Sequence, residues 1–236
     1  MARRRRIGPK DVTQHVVQRG NNRKVCFKRE QDFIVYASWL KQYSEKFNVA
    51  LHAWVFMTNH VHLLCTPRSD NLGVSQMMQS LGRKYVRYFN DTYKQTGTLW
   101  EGRFKSSLVC TSTYLLNVYR YIELNPVRAK MVNEPWQYKW SSYHNNALGV
   151  LSELCKPHDI YLQLGTTCTT RLSAYRSLFN ETLPQSLINE IRVSLNKEIV
   201  LGDDEFKGKI ETMIGSKLKS GKMGRPVKQK VTLTPF

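Results

Sequence analysis

Val-Ala-Leu-His-Ala-Trp-Val-Phe-Met-Thr-Asn-His-Val-His-Leu-Leu-Cys-Thr, residues 49–66, is the stretch from which the rest of the chain is read. Residues 49–57 and 60–66 are apolar and rich in β-branched and aromatic side chains, and Thr58-Asn59 joins them. The stretch therefore predicts a hairpin with His60 at the start of its second arm. Side chains alternate faces along a strand, so His60 and His62 project together while Val61 and Leu63 pack on the other side. Two neighbouring imidazoles can hold one divalent ion. An isolated His-x-His is more often two polar residues on the wetter face of a sheet, and only a third ligand and a reactive partner elsewhere separate the readings.

Working outward, residues 12–19 are β-rich and run into the turn signal Gly20-Asn21-Asn22, which predicts a first strand. Phe33, Tyr36, Ala37, Leu40, Tyr43 and Phe47 recur at spacings of three and four, so residues 30–46 predict an amphipathic helix. After the hairpin, Asp70-Asn71 can cap a second, long helix with Val74, Met77, Met78, Leu81, Tyr85 and Phe89 on its apolar stripe. Residues 104–110 supply a fourth strand. Strand, helix, strand, strand, helix, strand is the ferredoxin-like split βαβ order, an α+β fold with an antiparallel sheet backed by two helices. Thr111-Ser112-Thr113 can cap a further helix, which Pro126 ends or kinks.

After about residue 150 the patterning weakens. A short helix around residues 174–178 is followed by a two-helix appendage, marked by Leu187, Ile188, Ile191 and Leu195, then by Phe206, Ile210, Met213, Ile214 and Leu218. The expected organisation is a catalytic domain with a basic arm over residues 1–150, a helical region over 151–216 and a flexible basic tail over 217–236.

Lysine and arginine number 36 against 18 acidic residues in a chain of 236, a formal net charge of +18. Most of that excess falls before residue 150, in the part that holds His60 and His62. It argues for a polyanionic partner. A membrane surface is the competing polyanion, but no apolar run approaches the ~20 residues of a spanning helix and no apolar signal segment follows the first arginines. The expectation is a soluble, cytoplasmic protein. Five scattered cysteines without Cys-x-x-Cys spacing support neither a disulfide framework nor a zinc knuckle.

On the helix predicted after Thr113, Tyr114, Asn117, Tyr121 and Asn125 fall within about 80° of one another, and Leu115, Val118, Tyr119 and Ile122 take a neighbouring face. Tyr121 and Asn125 are thus one turn apart. A phenol is a usable nucleophile toward phosphorus, and an asparagine carbonyl is a hard ligand that suits Mg²⁺ or Mn²⁺ beside imidazoles. If this helix lies against the sheet that carries His60 and His62, one site holds a metal, a phosphate and a nucleophile. Tyr114 and Tyr119 read as structural, Glu123 as a surface carboxylate, and His15, His52, His144 and His158 as ordinary.

Five blocks together resemble the single-tyrosine HUH transposases of small bacterial insertion sequences, in particular their REP-associated tyrosine transposase branch. They are His-Val-Val-Gln-Arg-Gly-Asn-Asn-Arg from His15, Trp-Val-Phe-Met-Thr-Asn-His-Val-His-Leu-Leu from Trp54, Leu-Trp-Glu-Gly-Arg-Phe from Leu99, Tyr-Ile-Glu-Leu-Asn-Pro-Val-Arg-Ala from Tyr121 and Trp-Ser-Ser-Tyr from Trp140. Singly each is weak; in this order they are specific, and they span about residues 10–150. The resemblance implies that His60, His62 and Asn125 bind the metal and that Tyr121 is the nucleophile. It also implies transesterification on single-stranded DNA beside a REP-like hairpin, through a 5′-phosphotyrosine intermediate, by a monomer or homodimer. The alternative is an inactive, domesticated hairpin-binding protein. An RNA-binding module on the same scaffold is disfavoured because the strands carry no RNP-type aromatic pattern.

For DNA contacts the leading candidates are Arg83, Lys84 and Arg87 on the second helix, with Arg103 and Lys105 before the tyrosine helix. Arg19 at the end of the first strand joins them. Arg3, Arg4, Arg5 and Arg6 form a basic arm, and Arg225 lies in a Lys-Met-Gly-Arg-Pro run that resembles a minor-groove hook.

Overall fold

The computed structural model describes residues 8–215 and 217–218, so Arg3, Arg4, Arg5, Arg6 and Arg225 lie outside the described residues. Four strands, β1 (Gln14–Arg19), β2 (Val49–Met57), β3 (His60–Pro67) and β4 (Lys105–Leu108), form one sheet in the order β2-β3-β1-β4, with every pair antiparallel. This is the ferredoxin-like α+β arrangement. Met57 pairs with His60 across Thr58-Asn59, the tight turn that the sequence calls for. Gly20 ends β1 against that turn: its amide donates to the Asn59 carbonyl at 2.8 Å. A Cβ there would sit 2.1 Å from the Lys24 carbonyl oxygen, so only glycine fits.

Two helices, α1 (Glu30–Lys46) and α2 (Gly73–Tyr93), cover one face of the sheet, where Val16, Leu51, Phe56, Val61, Leu63 and Cys65 meet Tyr36, Leu40, Met77, Leu81 and Tyr85. Asp70 does not cap α2 directly. Its Oδ1 accepts from the Leu72 amide at 2.6 Å in a turn just before the helix, and Leu72 takes the N-cap position.

The opposite face carries α3 (Thr111–Glu123), the four-residue α4 (Asn125–Arg128) and later parts of the chain that reach it through Tyr143, Tyr161, Tyr175, Ile188 and Leu201. Thr111-Ser112-Thr113 forms the first turn of α3 and does not cap it. The Cys110 amide bonds the Leu201 carbonyl at 2.8 Å, which keeps Cys110 extended and starts the helix at the next residue. Leu115, Val118, Tyr119 and Ile122 are fully buried against Ala53, Val55, Met57 and Leu64. Each such burial is worth about 1.5–3 kcal/mol.

Beyond a 3₁₀ turn at Pro135–Gln137 come α5 (Tyr143–Asn146), α6 (Asp159–Leu162), α7 (Cys168–Ser177), α8 (Gln185–Lys197) and α9 (Asp204–Ile214). Among the described residues after 151 there are thus four helices, where the sequence marks two and a short fragment. Tyr161, Tyr175, Leu183, Ile188, Ile191 and Leu201 share one apolar core with α3 and the sheet. Both outer strands of the sheet are covered by other parts of the chain. Leu201 bonds β4 through the Leu108 carbonyl, and Ser141 bridges to Val55 on β2 while the Phe56 amide donates to the Trp140 carbonyl.

Candidate active site

On β3 the side chains of His60, His62 and Leu64 face α3, and on β1 those of His15 and Val17 do the same. Val17 sits opposite His62 in the antiparallel ladder, so His15 is its diagonal neighbour on that face. The two rings meet: His15 Nε2 lies 2.9 Å from His62 Nδ1, with the rings stacked at 5.1 Å between centres. Along the chain His15 has no second ligand at useful spacing and reads as ordinary; the strand register brings His62 to it. The ring centres of His60 and His62 are 5.0 Å apart. Asn59 Nδ2 donates to the Arg23 carbonyl, so its Oδ1 faces His60 and accepts from Nδ1 at 2.6 Å. His60 Nε2 is left with a lone pair.

All three imidazoles are held neutral. Burial pulls His60 down to about 4 and His15 to about 3, helped by the charges of Arg19 and Arg128 respectively. His62 is well below its ordinary value, first through burial and then through His60, His15, Arg128 and Arg19. Neutral imidazole is the form that ligates metal.

α3 brings Tyr121 against this cluster, edge-on to His62 at 5.9 Å and to His15 at 5.7 Å between ring centres. Tyr121 is only 5% exposed. The Arg128 guanidinium lies over its ring at 4.3 Å, and Arg128 Nη2 donates to the Tyr121 carbonyl. Burial lowers Arg128 to about 10, opposed by the neighbouring phenol, and its Nη1 is buried without a partner. Arg128 is a site residue that sequence reasoning did not single out, although it stands in the block that begins at Tyr121.

Asn125 is not on the same continuous helix as Tyr121. Pro126 has no N–H to offer the Ile122 carbonyl, so α3 stops at Glu123 and Asn125 opens α4. Asn125 Nδ2 fills the gap, donating to the Tyr121 carbonyl at 3.0 Å and to that of Ile122 at 3.3 Å. Its Oδ1 takes no part in those bonds and is the end available to a ligand. The described residues hold no group of three or more His, Cys, Asp or Glu that could bind a metal.

Glu123 corrects the surface reading. It is fully buried, and its carboxylate accepts from Ser142 Oγ at 2.6 Å, Tyr175 Oη at 2.7 Å and Asn146 Nδ2 at 2.8 Å. Burial raises it to about 7 against the pull of those three donors. It fastens the back of the tyrosine helix to α5 and α7. Tyr114 Oη donates to Glu190 at 2.8 Å, which ties α3 to α8. His52 is engaged by the Lys156 carbonyl and Thr66, and His158 caps α6.

The described basic candidates take four different places. Arg83, Arg87 and Arg103 line an open groove of about 1120 Å³ beside α2, floored by Gln18, Gly82 and Trp100. Gln18 leaves β1 on the face opposite His15, and its Oε1 is buried without a partner. Lys84 turns away, over the Trp39 ring at 4.6 Å, and donates to Gln42. Lys105 donates to Asn196 on α8, and Arg19 pairs with His60 across the ladder, beside the imidazoles rather than in the groove.

Residues 10–125 match the family model of IS200-like transposases. The fold is similar to that of a REP-associated tyrosine transposase solved bound to a REP hairpin, at 19% identity and a TM-score of 0.52, over 67% of this chain and 93% of that one. A transposase structure from Deinococcus radiodurans aligns at 20% identity with a TM-score of 0.37, over 52% of this chain and 96% of that one. No curated protein matches.

Proposed function

Through residues 10–125 the chain belongs to the IS200-like transposase family, and on that premise we propose that it nicks and rejoins single-stranded DNA beside a hairpin, with Tyr121 as nucleophile. The observation that carries this reading is the edge-on contact of Tyr121 with His62, a nucleophile beside a ligand pair. Tyr121 Oη attacks the scissile phosphorus: the Oη–P bond forms, the P–O3′ bond breaks, and the phenol's proton ends on the departing 3′ oxygen. One phosphodiester is exchanged for a 5′-phosphotyrosine, so a 3′-OH can reverse the step and join ends without an external energy source. His60 and His62 through Nε2, and Asn125 through Oδ1, would hold Mg²⁺ or Mn²⁺, which when bound draws charge from a phosphate oxygen. Arg128 fixes the tyrosine from its ring face and its carbonyl.

The arginine-lined groove supports DNA as the partner, and the REP hairpin bound by the structural relative supports a hairpin as its form. Tyr121 packs edge-on against His62 of its own fold, and cutting in cis is the reading that contact supports. Among the described residues no helix is long and apolar enough to cross a membrane. Action on DNA in the cytoplasm agrees with that.

The test is incubation with a labelled single-stranded hairpin and Mg²⁺ or Mn²⁺. A covalent protein–DNA adduct is expected from the wild type and none from Tyr121→Phe, which should still bind the hairpin. A mixture of Tyr121→Phe and His62→Ala should form no adduct; recovery of activity would show cutting in trans. A second reading, hairpin binding without cutting, is favoured by the near-complete burial of Tyr121. It predicts no adduct from the wild type.

A further inference from the structure

We propose that His15 is a positioning residue for His62, accepting at its Nε2 the hydrogen that His62 must carry on Nδ1 when His62 Nε2 serves as a ligand. This rests on the reading that His60 and His62 hold a divalent ion. Two neutral rings that face each other at 2.9 Å share one hydrogen, and each neutral imidazole has a single N–H. If His62 gives that hydrogen, its Nε2 is a lone pair and can ligate. If His15 gives it, His62 Nε2 carries the hydrogen and cannot.

The two histidines of the hairpin differ in this respect. His60 is held in its ligating tautomer by Asn59, whose amide orientation is fixed by the Arg23 carbonyl. His62 has a partner that can give or accept. His15 Nδ1 is buried without a partner, so a hydrogen there is an unpaired donor, whereas a lone pair there is tolerated more easily. The pair therefore favours His15 as donor in the metal-free protein, and ligation at His62 Nε2 reverses the direction. Tyr121 lies edge-on to both rings, so it touches the element that reverses. Partners that hydrogen-bond the far nitrogen of a ligating imidazole, fixing its tautomer and direction, typically matter 10- to 100-fold for metal affinity.

The experiment uses the full chain. Mn²⁺ affinity is measured by electron paramagnetic resonance for the wild type, His60→Ala, His15→Leu and His15→Gln. His15→Leu is expected to weaken Mn²⁺ binding by about 10- to 100-fold. His15→Gln, whose amide oxygen can take the place of Nε2, should return it to within a few-fold of wild type. Long-range ¹⁵N NMR should find His62 as the Nε2–H tautomer without metal and as Nδ1–H with saturating Mg²⁺. Wild-type affinity in His15→Leu, or one unchanged tautomer in both conditions, overturns the proposal. If His15→Leu does not fold, the glutamine variant and the NMR measurement on wild type decide. Equal Mn²⁺ binding by wild type and His60→Ala, or none by either, overturns the metal reading itself, and is seen before any His15 variant is made.

Discussion

Ser142 Oγ donates to the buried carboxylate of Glu123 at 2.6 Å, joining the tyrosine helix to the Trp-Ser-Ser-Tyr segment. Two blocks that stand apart in the sequence are one structural unit behind the site. Glu123 is raised from 4.5 to about 7, so the folded state binds more protons than the unfolded state between those values. Its contribution to stability is full below pH 4.5 and is lost as pH rises through 7, by about 3 kcal/mol. Urea unfolding of wild type and Glu123→Gln at several pH values should show this: the variant lacks the fall, so the wild-type advantage shrinks from pH 5 to pH 8.

Asn125→Asp should be destabilising although it supplies a stronger metal ligand. The substitution removes the Nδ2 donor and turns an anion toward the carbonyls of Tyr121 and Ile122, at a cost of about 1–3 kcal/mol. Thermal unfolding in EDTA reads that loss. Recovery of stability on adding Mn²⁺ would accompany binding at the new carboxylate.

Arg128→Lys keeps the charge but cannot both stack on Tyr121 and reach its carbonyl in the same way. Adduct formation should fall by about tenfold to a hundredfold, equivalent to about 1.4–2.7 kcal/mol in the barrier. Hairpin affinity should change far less. A single-turnover adduct assay with a parallel gel-shift titration separates the two effects.

Neighbouring residues on α2 should behave differently. Arg83→Ala and Arg87→Ala should each reduce the slope of log affinity against log salt by about one, as loss of a phosphate contact does. Lys84→Ala should leave hairpin affinity unchanged, because Lys84 is engaged by Trp39 and Gln42. Titration at three salt concentrations checks all three variants.

The elements that were legible in the sequence are those whose cause is local. The hairpin and α1 follow from alternation, a tight turn and a clean three-four stripe, and both occupy the residues expected. What needed the fold was non-local. His15 gains its partner through the pairing of β1 with β3, and Glu123 through side chains 19, 23 and 52 residues away. Helix α6, four residues with one buried tyrosine, carries too little pattern for periodicity to register, and of the ten-residue α7, which also buries one tyrosine, only the last turn coincides with the short helix expected around residues 174–178. Lys84 shares α2 with Arg83 and Arg87, but the neighbouring α1 decides which way its side chain turns.

The coverage of β4 by Leu201 and of β2 by Trp140 and Ser141 has a consequence for assembly. An open sheet edge is a template on which another chain can add a strand. Here each rim is met at one place by the protein's own backbone, at Leu108 on β4 and at Val55 and Phe56 on β2. A strand arriving from another molecule finds those rungs of the ladder already taken, which shortens the edge on which self-association by strand addition could start.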